Sequence, residues 1–429
     1  MTLNPERASL RVLALGAYLK NRACLIDSDN LYWSPMHGDL KDPKACQALS
    51  DSVEHLIDIS TGPLDLIVHD MHPDFYSTVL AQKISASQAI DCIAVQHHHA
   101  HIGAVMAEYG LSGSVLGLAL DGAGWGEDQT IWGGEMLLVD GANCKRLGHL
   151  ARLALPGGDA GALEPWRMAV SALLATGRGD EILSRLGRRI SSERIEMVRS
   201  MLVNGVNAPL TSSAGRWFDV AAALLGLCDV QAHDAQAAQL LEGAAQKWLS
   251  KYPITHKECE SKVIDDSNPN NENGLRGRAI ITEDLTLDLA PLLDALLTRD
   301  QRIVESEVDV GRKAAEFHLN LVSGLVEWVI KALGRNPGIK RVCLSGGCFH
   351  NKILKTRLKD ALEAIQLEVY LPRDEKELTL GVGERSLQSK HALANKGLGK
   401  ELVGCGDAGI ALGQAWVGVQ YLTHSQTAI

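Results

Sequence analysis

Val95-Gln96-His97-His98-His99-Ala100-His101-Ile102 is the stretch on which the reading of this 429-residue chain turns. A strand-like run at 91–95 leads into it, and the buried-strand run Val115-Leu116-Gly117-Leu118-Ala119-Leu120 follows it and ends in Asp121-Gly122. On a helix, the i,i+4 spacing puts His97 and His101 on one face, where both imidazoles reach a single cation. His98 and His99 then point elsewhere. Taken alone, an H-x-x-x-H pair reads as polar surface at a helix start. The strand and the acidic glycine turn that follow lift it to a candidate metal site.

Working outward, residues 10–16 read as a first strand, 22–26 as its hairpin partner, and Lys20 falls in the turn between them. Helical periodicity spans 43–60, a short buried strand 64–70, and a helix is expected at about 76–82. Beyond the histidines, 131–139 is expected to pair with 115–120. Residues 165–249 are almost all helical and rich in Ala and Leu, and 253–280 read as a polar, turn-rich surface loop. A long helix at about 304–333 precedes the strand 341–344, which runs into Ser345-Gly346-Gly347. Strand, helix and glycine turn thus occur near Asp121 and again near Gly346. The pattern predicts a bilobal α/β protein with a ligand cleft between lobes at 1–150 and 291–429, separated by a helical insert and loop at 151–290.

The whole composition agrees with a large globular protein. At roughly 150 residues per domain the length predicts two or three lobes. Hydrophobic residues make up 46% and charged residues 22%, as in ordinary soluble domains. A net charge of −10 argues against a nucleic-acid duplex as the main partner, because phosphate binding wants a concentrated basic surface. The nine cysteines are scattered with no C-x-x-C, which points away from a zinc ribbon or a disulfide framework and toward reduced thiols. Met1-Thr2-Leu3-Asn4-Pro5-Glu6-Arg7 has no basic start with an apolar core behind it, and no apolar run reaches membrane-spanning length. A cytoplasmic protein without a membrane partner is expected.

Two glycine segments carry further chemistry. Asp121-Gly122-Ala123-Gly124-Trp125-Gly126 reads as a turn whose backbone N–H groups approach phosphate oxygens and whose Asp binds a metal; an ordinary Asp-Gly hairpin is the competing reading. Ser345-Gly346-Gly347 reads either as a plain strand-to-helix connection or as a phosphate cradle at a helix N-terminus.

In order along the chain, these segments resemble a known family. Ala14-Leu15-Gly16 with Leu19-Lys20-Asn21, then His69-Asp70-Met71-His72-Pro73-Asp74-Phe75-Tyr76-Ser77-Thr78, then 95–102, 121–126 and Ile131-Trp132-Gly133-Gly134-Glu135 are similar to the carbamoyltransferase half of the HypF family of NiFe hydrogenase maturation proteins. So are Pro156-Gly157-Gly158-Asp159, Glu164-Pro165-Trp166-Arg167-Met168-Ala169, Thr211-Ser212-Ser213-Ala214-Gly215-Arg216, 344–351 and Asp407-Ala408-Gly409-Ile410-Ala411-Leu412-Gly413-Gln414-Ala415. The resemblance covers nearly the whole chain. It implies the actin-like ATPase (ASKHA) fold shared with threonylcarbamoyl transferases and with O-carbamoyltransferases.

By the family pattern, His97, His101, Asp121 and Asp407 would bind one divalent metal ion, iron or zinc; two imidazoles and two carboxylates suit either. A helix cap is the other reading of Asp407. The resemblance further implies carbamoyl-adenylate, or ATP or AMP, as the nucleotide ligand. Gly122, Gly124, Gly134, Gly158, Asp159, Asp234, Gly346, Gly347 and Asn351 would stand on the nucleotide side, Asn351 capping a turn in the competing reading. Lys20, Arg167 and Arg216 are candidates for phosphate or carbonyl contacts, set against an exposed hairpin lysine and two helix-surface ion pairs.

Departures from the family are also legible. The upstream domains that make carbamoyl-adenylate in a full-length HypF have no counterpart here, so a separate protein is expected to supply the intermediate. The family's Glu-Gly-Gln-Ala-Ala is Asp234-Ala235-Gln236-Ala237-Ala238, and an extra stretch at about 374–403 precedes Asp407, as a docking surface or a tolerated loop. The expected activity is carbamoyl transfer to the C-terminal cysteine of a HypE-like acceptor. O-carbamoylation of a small-molecule hydroxyl and a non-catalytic HypF-like scaffold are the alternatives, and tRNA modification is least favoured.

Overall fold

The computed structural model describes residues 10–253, 277–297, 306–373 and 406–427. Nearly all of the expected polar loop at 253–280, the stretch at 374–403 and the N-terminal heptapeptide lie outside the described residues.

The chain builds one strand order twice. Strands β1 (Arg11–Ala14), β2 (Cys24–Asp27), β3 (Asn30–Trp33), β4 (Leu66–Asp70) and β5 (Cys92–Val95) form a sheet in the order β3-β2-β1-β4-β5. Its first three strands are an antiparallel meander, while β4 and β5 run parallel to β1. Strands β6 (Val115–Trp125), β7 (Ile131–Asp140) and β8 (Asn143–Leu150) repeat the meander. Two short strands, β9 (Leu153–Ala154) and β10 (Leu210–Thr211), attach at one end of β7, and β11 (Ile280–Ile281) and β12 (Thr286–Asp288) extend the β8 edge. Strands β13 (Arg341–Ser345) and β14 (Glu368–Tyr370) then lie parallel beside β6, giving β8-β7-β6-β13-β14.

Strands covered on both faces are mainly apolar, and β2 and β4 are buried at every position, their polar residues Asp27, His69 and Asp70 falling at the strand ends. Helix Pro43–Asp58 covers one face of the first sheet. It starts at Asp42, whose carboxylate accepts from the Lys44 N–H, and buries Ala45, Leu49, Val53 and Leu56 at helical spacing against Leu13, Leu25 and Ile67. The opposite face packs on helix Ile410–Thr427, while helix His97–Tyr109 lies on the second sheet. The two helices pack on each other between the sheets, so that Ile102, Val105, Ile410 and Trp416 form one core with Val12 and Val68 of the first sheet and Val115 and Leu137 of the second. The helices approach so closely that a Cβ on Gly413 would stand 1.8 Å from the Ala100 carbonyl oxygen, which demands glycine there.

Between β8 and β13 the chain adds the helical lobe. Helices Asp159–Leu163, Pro165–Ala175, Ile182–Leu186, Ser192–Asn204, Ala214–Leu224 and Gln236–Lys251 bury Trp166, Phe218 and Leu241 in one core with the long helix Glu307–Arg335. A reciprocal Ser306–Asp309 capping box starts that long helix.

The strand and helix positions expected from sequence are present, with three differences. Helix Tyr76–Gln88 is one and a half turns longer than expected. The expected turn at 121–126 is the continuation of β6, which pairs Gly124 with Trp132 and Trp125 with Ile131 across a register shift that begins at Leu120. The chain reverses only after Gly126. The division expected at residue 150 also differs, because β6–β8 pair through β6 with β13, and the C-terminal helix returns to the first sheet. The two sheets therefore part between β5 and β6. Periodicity locates strands, but it carries no record of which distant strand each one pairs with.

Candidate metal and nucleotide site

The histidine helix begins at Gln96, whose side-chain oxygen accepts the His98 and His99 N–H groups and so fixes the first turn. From that turn His97 and His101 project to one side, as their spacing requires, and meet Asp121 of β6. Asp407, at the start of a single 3₁₀ turn before the C-terminal helix, closes the group. Nε2 of His97 lies 3.4 Å from Asp121 Oδ2 and 3.8 Å from Asp407 Oδ1; Nε2 of His101 lies 3.0 and 3.8 Å from the same two oxygens. Four ligands at 2.0–2.1 Å from a tetrahedral ion stand roughly 3.3 Å apart, so these separations fit a metal site. Nε2 of His97 is buried and makes no hydrogen bond, which a metal would remedy. The donor set suits iron or zinc alike.

His97, His101 and Asp121 are also held from behind. Nδ1–H of His97 donates to Asp70 Oδ2 at 2.8 Å, and Nδ1 of His101 lies 3.5 Å from the Ser345 hydroxyl. Asp121 Oδ1 accepts the Gly122 N–H at 2.8 Å and the Gly347 N–H at 3.0 Å, leaving Oδ2 for the imidazoles. Two glycine N–H groups expected to face phosphate are thus spent on the Asp121 carboxylate. Gly346, at φ +106°, makes this possible: a Cβ there would strike the Leu120 carbonyl oxygen at 2.3 Å, so only glycine brings the β13 turn onto β6.

The charges are strongly coupled. Burial opposes ionisation of His97, but the facing carboxylates of Asp121, Asp70 and Asp407 outweigh it and hold the imidazole well above its usual range. At Asp121 burial is overcome by His101 and then His97, which hold that carboxyl well below its range. At Asp407, burial and the Asp121 charge win over the two histidines and Lys20, raising it to about 6. His98 is pushed well below its range by burial and by the charge of His97. His99 is held at about 4 by burial, against its bond to the Gly141 carbonyl.

The metal group forms one end of a cleft of about 860 Å³. Lys20, Gly122, Gly347 and Asn351 line it from the two sheets, and Gly158, Asp159, Arg216 and Asp234 from the helical lobe. Asp219, which sequence reasoning missed, joins them: Arg216 Nε is 3.1 Å from its Oδ2 but misaligned for a hydrogen bond, and burial pushes this carboxyl up to about 7. Asn351 caps helix Lys352–Ala364 through the Leu354 N–H, and its amide nitrogen meets His318 Nε2 at 2.9 Å. Gly124 packs on His97 and His98, Gly134 lies under Leu150 and Ser212, and Gly346 lies on Leu120, none of them on the cleft wall. Arg167 is also off the wall, its Nε donating to Glu164 at 2.5 Å and its guanidinium set over Trp166.

The family profile described as "HypF Kae1-like domain" matches residues 7–108, and that described as "Carbamoyltransferase, Kae1-like Domain, second subdomain" matches 117–376. The chain is 43% identical over 415 residues to the "Carbamoyltransferase HypF homolog" of Cupriavidus necator, covering 96% of this chain and 92% of that protein. The chain belongs to the HypF carbamoyltransferase family.

It is 41% identical over 419 residues to "Carbamoyltransferase HypF2" of the same organism, covering 96% of this chain and 47% of that protein. A structure described as "Crystal structure of full-length HypF in the phosphate- and nucleotide-bound form" superposes with a TM-score of 0.74 at 26% identity, over 96% of this chain and 46% of the other. The chain thus spans about half the length of these larger HypF proteins and nearly all of the C. necator homolog. The fold is the bilobal actin-like one that the resemblance implied, and the two HypF profiles meet between 108 and 117, where the structure passes from one sheet to the other. Two HypF-like residues escaped the sequence reading of the metal group, Asp70 and Ser345. Each is the last residue of a buried strand, a position whose only sequence signal is the end of an apolar run.

Proposed function

We propose that this chain transfers a carbamoyl group from carbamoyl-adenylate, supplied by a separate protein, to the C-terminal cysteine of a HypE-like acceptor in NiFe hydrogenase maturation. In that reaction the thiolate sulfur bonds to the carbamoyl carbon, the bond from that carbon to the phosphate oxygen breaks, and AMP leaves with the electron pair. The observation that carries the reading is that metal group and helical lobe open on one cleft of about 860 Å³, a volume suited to a nucleotide ligand.

A divalent ion held by His97, His101, Asp121 and Asp407 would supply neutralisation of phosphate charge. Lys20, in a left-handed turn at φ 46° on the cleft wall, adds a cation near Asp407, and Arg216 adds another from the helical lobe. Asp159 and Asp234 offer only acceptors, which suits nucleotide hydroxyls rather than phosphates. Gly122 and Gly347 act indirectly, by aiming Asp121. A reducing, cytoplasmic setting accords with the free thiols among the described residues, where no helix is long and apolar enough to cross a membrane.

The test combines the purified chain, a carbamoyl-adenylate source and the acceptor, and follows AMP release and acceptor mass. Release that requires both the chain and the acceptor, and that is lost in Asp407→Ala, is expected. No AMP release alongside an active source would refute the proposal. Carbamoylation of a small hydroxyl compound with no protein acceptor modified would replace the thiol by that alternative.

A further inference from the structure

The two histidines of the metal group differ in what stands behind them. His97 is backed by a carboxylate, and since a carboxylate only accepts, Nδ1 of His97 carries the proton and Nε2 is presented to the metal position. His101 is backed only by a hydroxyl at 3.5 Å, the outer limit of a hydrogen bond. Asp70 itself has no freedom to turn away. It is fully buried; its Oδ1 accepts the His72 N–H at 3.0 Å, and its backbone carbonyl accepts from the Thr78 hydroxyl at 3.0 Å and faces His69 Nδ1 at 2.6 Å. Among the described residues, the only basic side chain within ion-pair distance of it is His97. One oxygen of this buried carboxylate holds the His72 N–H and the other is spent on the remote nitrogen of one imidazole, so the desolvation cost of the charge is set against orienting His97.

We propose that Asp70 is a positioning residue that fixes the orientation and tautomer of His97 and strengthens its Nε2 as a metal donor, making His97 the anchor of the site and His101 its weaker arm. The arrangement follows the general behaviour of metal-bound histidines, whose second nitrogen is commonly tied to a carboxylate that sharpens both geometry and basicity. It rests on the metal reading of the four-ligand group. The carboxylate comes from the first sheet and the facing ligand Asp121 from the second, so the hydrogen bond also sets the imidazole between the two halves.

The test measures zinc affinity of the whole chain by competition with a chromophoric chelator, for the wild type and for Asp70→Ala, Asp70→Asn and Ser345→Ala. Asp70→Ala is expected to bind about 10- to 100-fold more weakly. Asp70→Asn, which keeps the shape and an acceptor but not the charge, should fall between it and the wild type. Ser345→Ala should lose about fivefold or less, the effect of one neutral hydrogen bond. In parallel, the proton NMR spectrum should show a downfield, slowly exchanging His97 Nδ1–H in the wild type that moves upfield in Asp70→Asn, a signature that general loosening of the fold would not give. If Asp70→Ala does not fold, Asp70→Asn and the His97 proton decide. Zinc binding by Asp70→Asn within twofold of wild type, an unmoved His97 proton, or an equal loss in Ser345→Ala would overturn the proposal. Absence of zinc binding by the wild type would instead overturn the metal reading beneath it.

Discussion

The two sheets share strand order and strand sense, yet the ends of their matching strands carry different chemistry. The fourth strand of the first sheet ends in Asp70 and that of the second in Ser345, and each final residue reaches Nδ1 of one histidine. The leading strands diverge further, since β1 runs into the Lys20 turn while β6 continues past its equivalent point to deliver Asp121. The connections differ most. A single helix, Pro43–Asp58, lies between β3 and β4, whereas residues 151–340 lie between β8 and β13, and helices described within them wall the cleft. A duplicated frame supplies two sets of strand ends, and divergence between the copies puts a candidate ligand on one set and the carboxylate proposed to orient His97 on the other.

The largest expected effect is on the side that carries the candidate ligand Asp121. Asp121→Ala removes one oxygen that faces both imidazoles and another that gathers the Gly122 and Gly347 N–H groups, so zinc affinity should fall by more than about 100-fold, beyond the loss expected at Asp70. An equal or smaller loss than in Asp70→Ala would erase the distinction between the halves.

A second test uses acid. Asp407 stands outside both sheets, its side chain is 19% exposed, and its carboxyl is raised to about 6 by burial and by the charge of Asp121. A proton competes with metal below that value, so zinc affinity should drop by about tenfold per pH unit as pH falls from 6 to 5. Without metal, the folded chain holds this proton where the unfolded chain releases it, so the Asp407 contribution lowers stability as pH rises from about 4 to about 6. Zinc affinity that stays constant down to pH 5 would remove Asp407 from the ligand set.

The smallest effect tests the long connection of the second half. Ala235 precedes helix Gln236–Lys251 at φ 58°, in the left-handed region, at the position where the family pattern noted above has glycine. Ala235→Gly should stabilise the protein by about 1 kcal/mol or less and raise its melting temperature by about 2 °C. A lower melting temperature would show that the lobe does not hold Ala235 in this conformation.

Much of this was legible in sequence because its causes are local. The spacing of His97 and His101 on one helical face, the hairpin at Lys20, the buried runs of β4 and β6 and the helical lobe all follow from the 3.6- and 2-residue periods of helix and strand. The ordered string of motifs reached further and named the fold and all four metal-ligand candidates. Tertiary structure alone decided the rest. Pairing of β13 with β6 moved the boundary between the halves and turned the Gly122 and Gly347 N–H groups onto Asp121 rather than a phosphate. Packing sent Arg167 to Glu164 and brought Asp219 to the cleft wall. It also placed Asp70, 27 positions before His97, behind that imidazole. Sequence period records which face of its own element a residue occupies, whereas the partner it meets is fixed by long-range pairing and burial, which leave no local pattern to read.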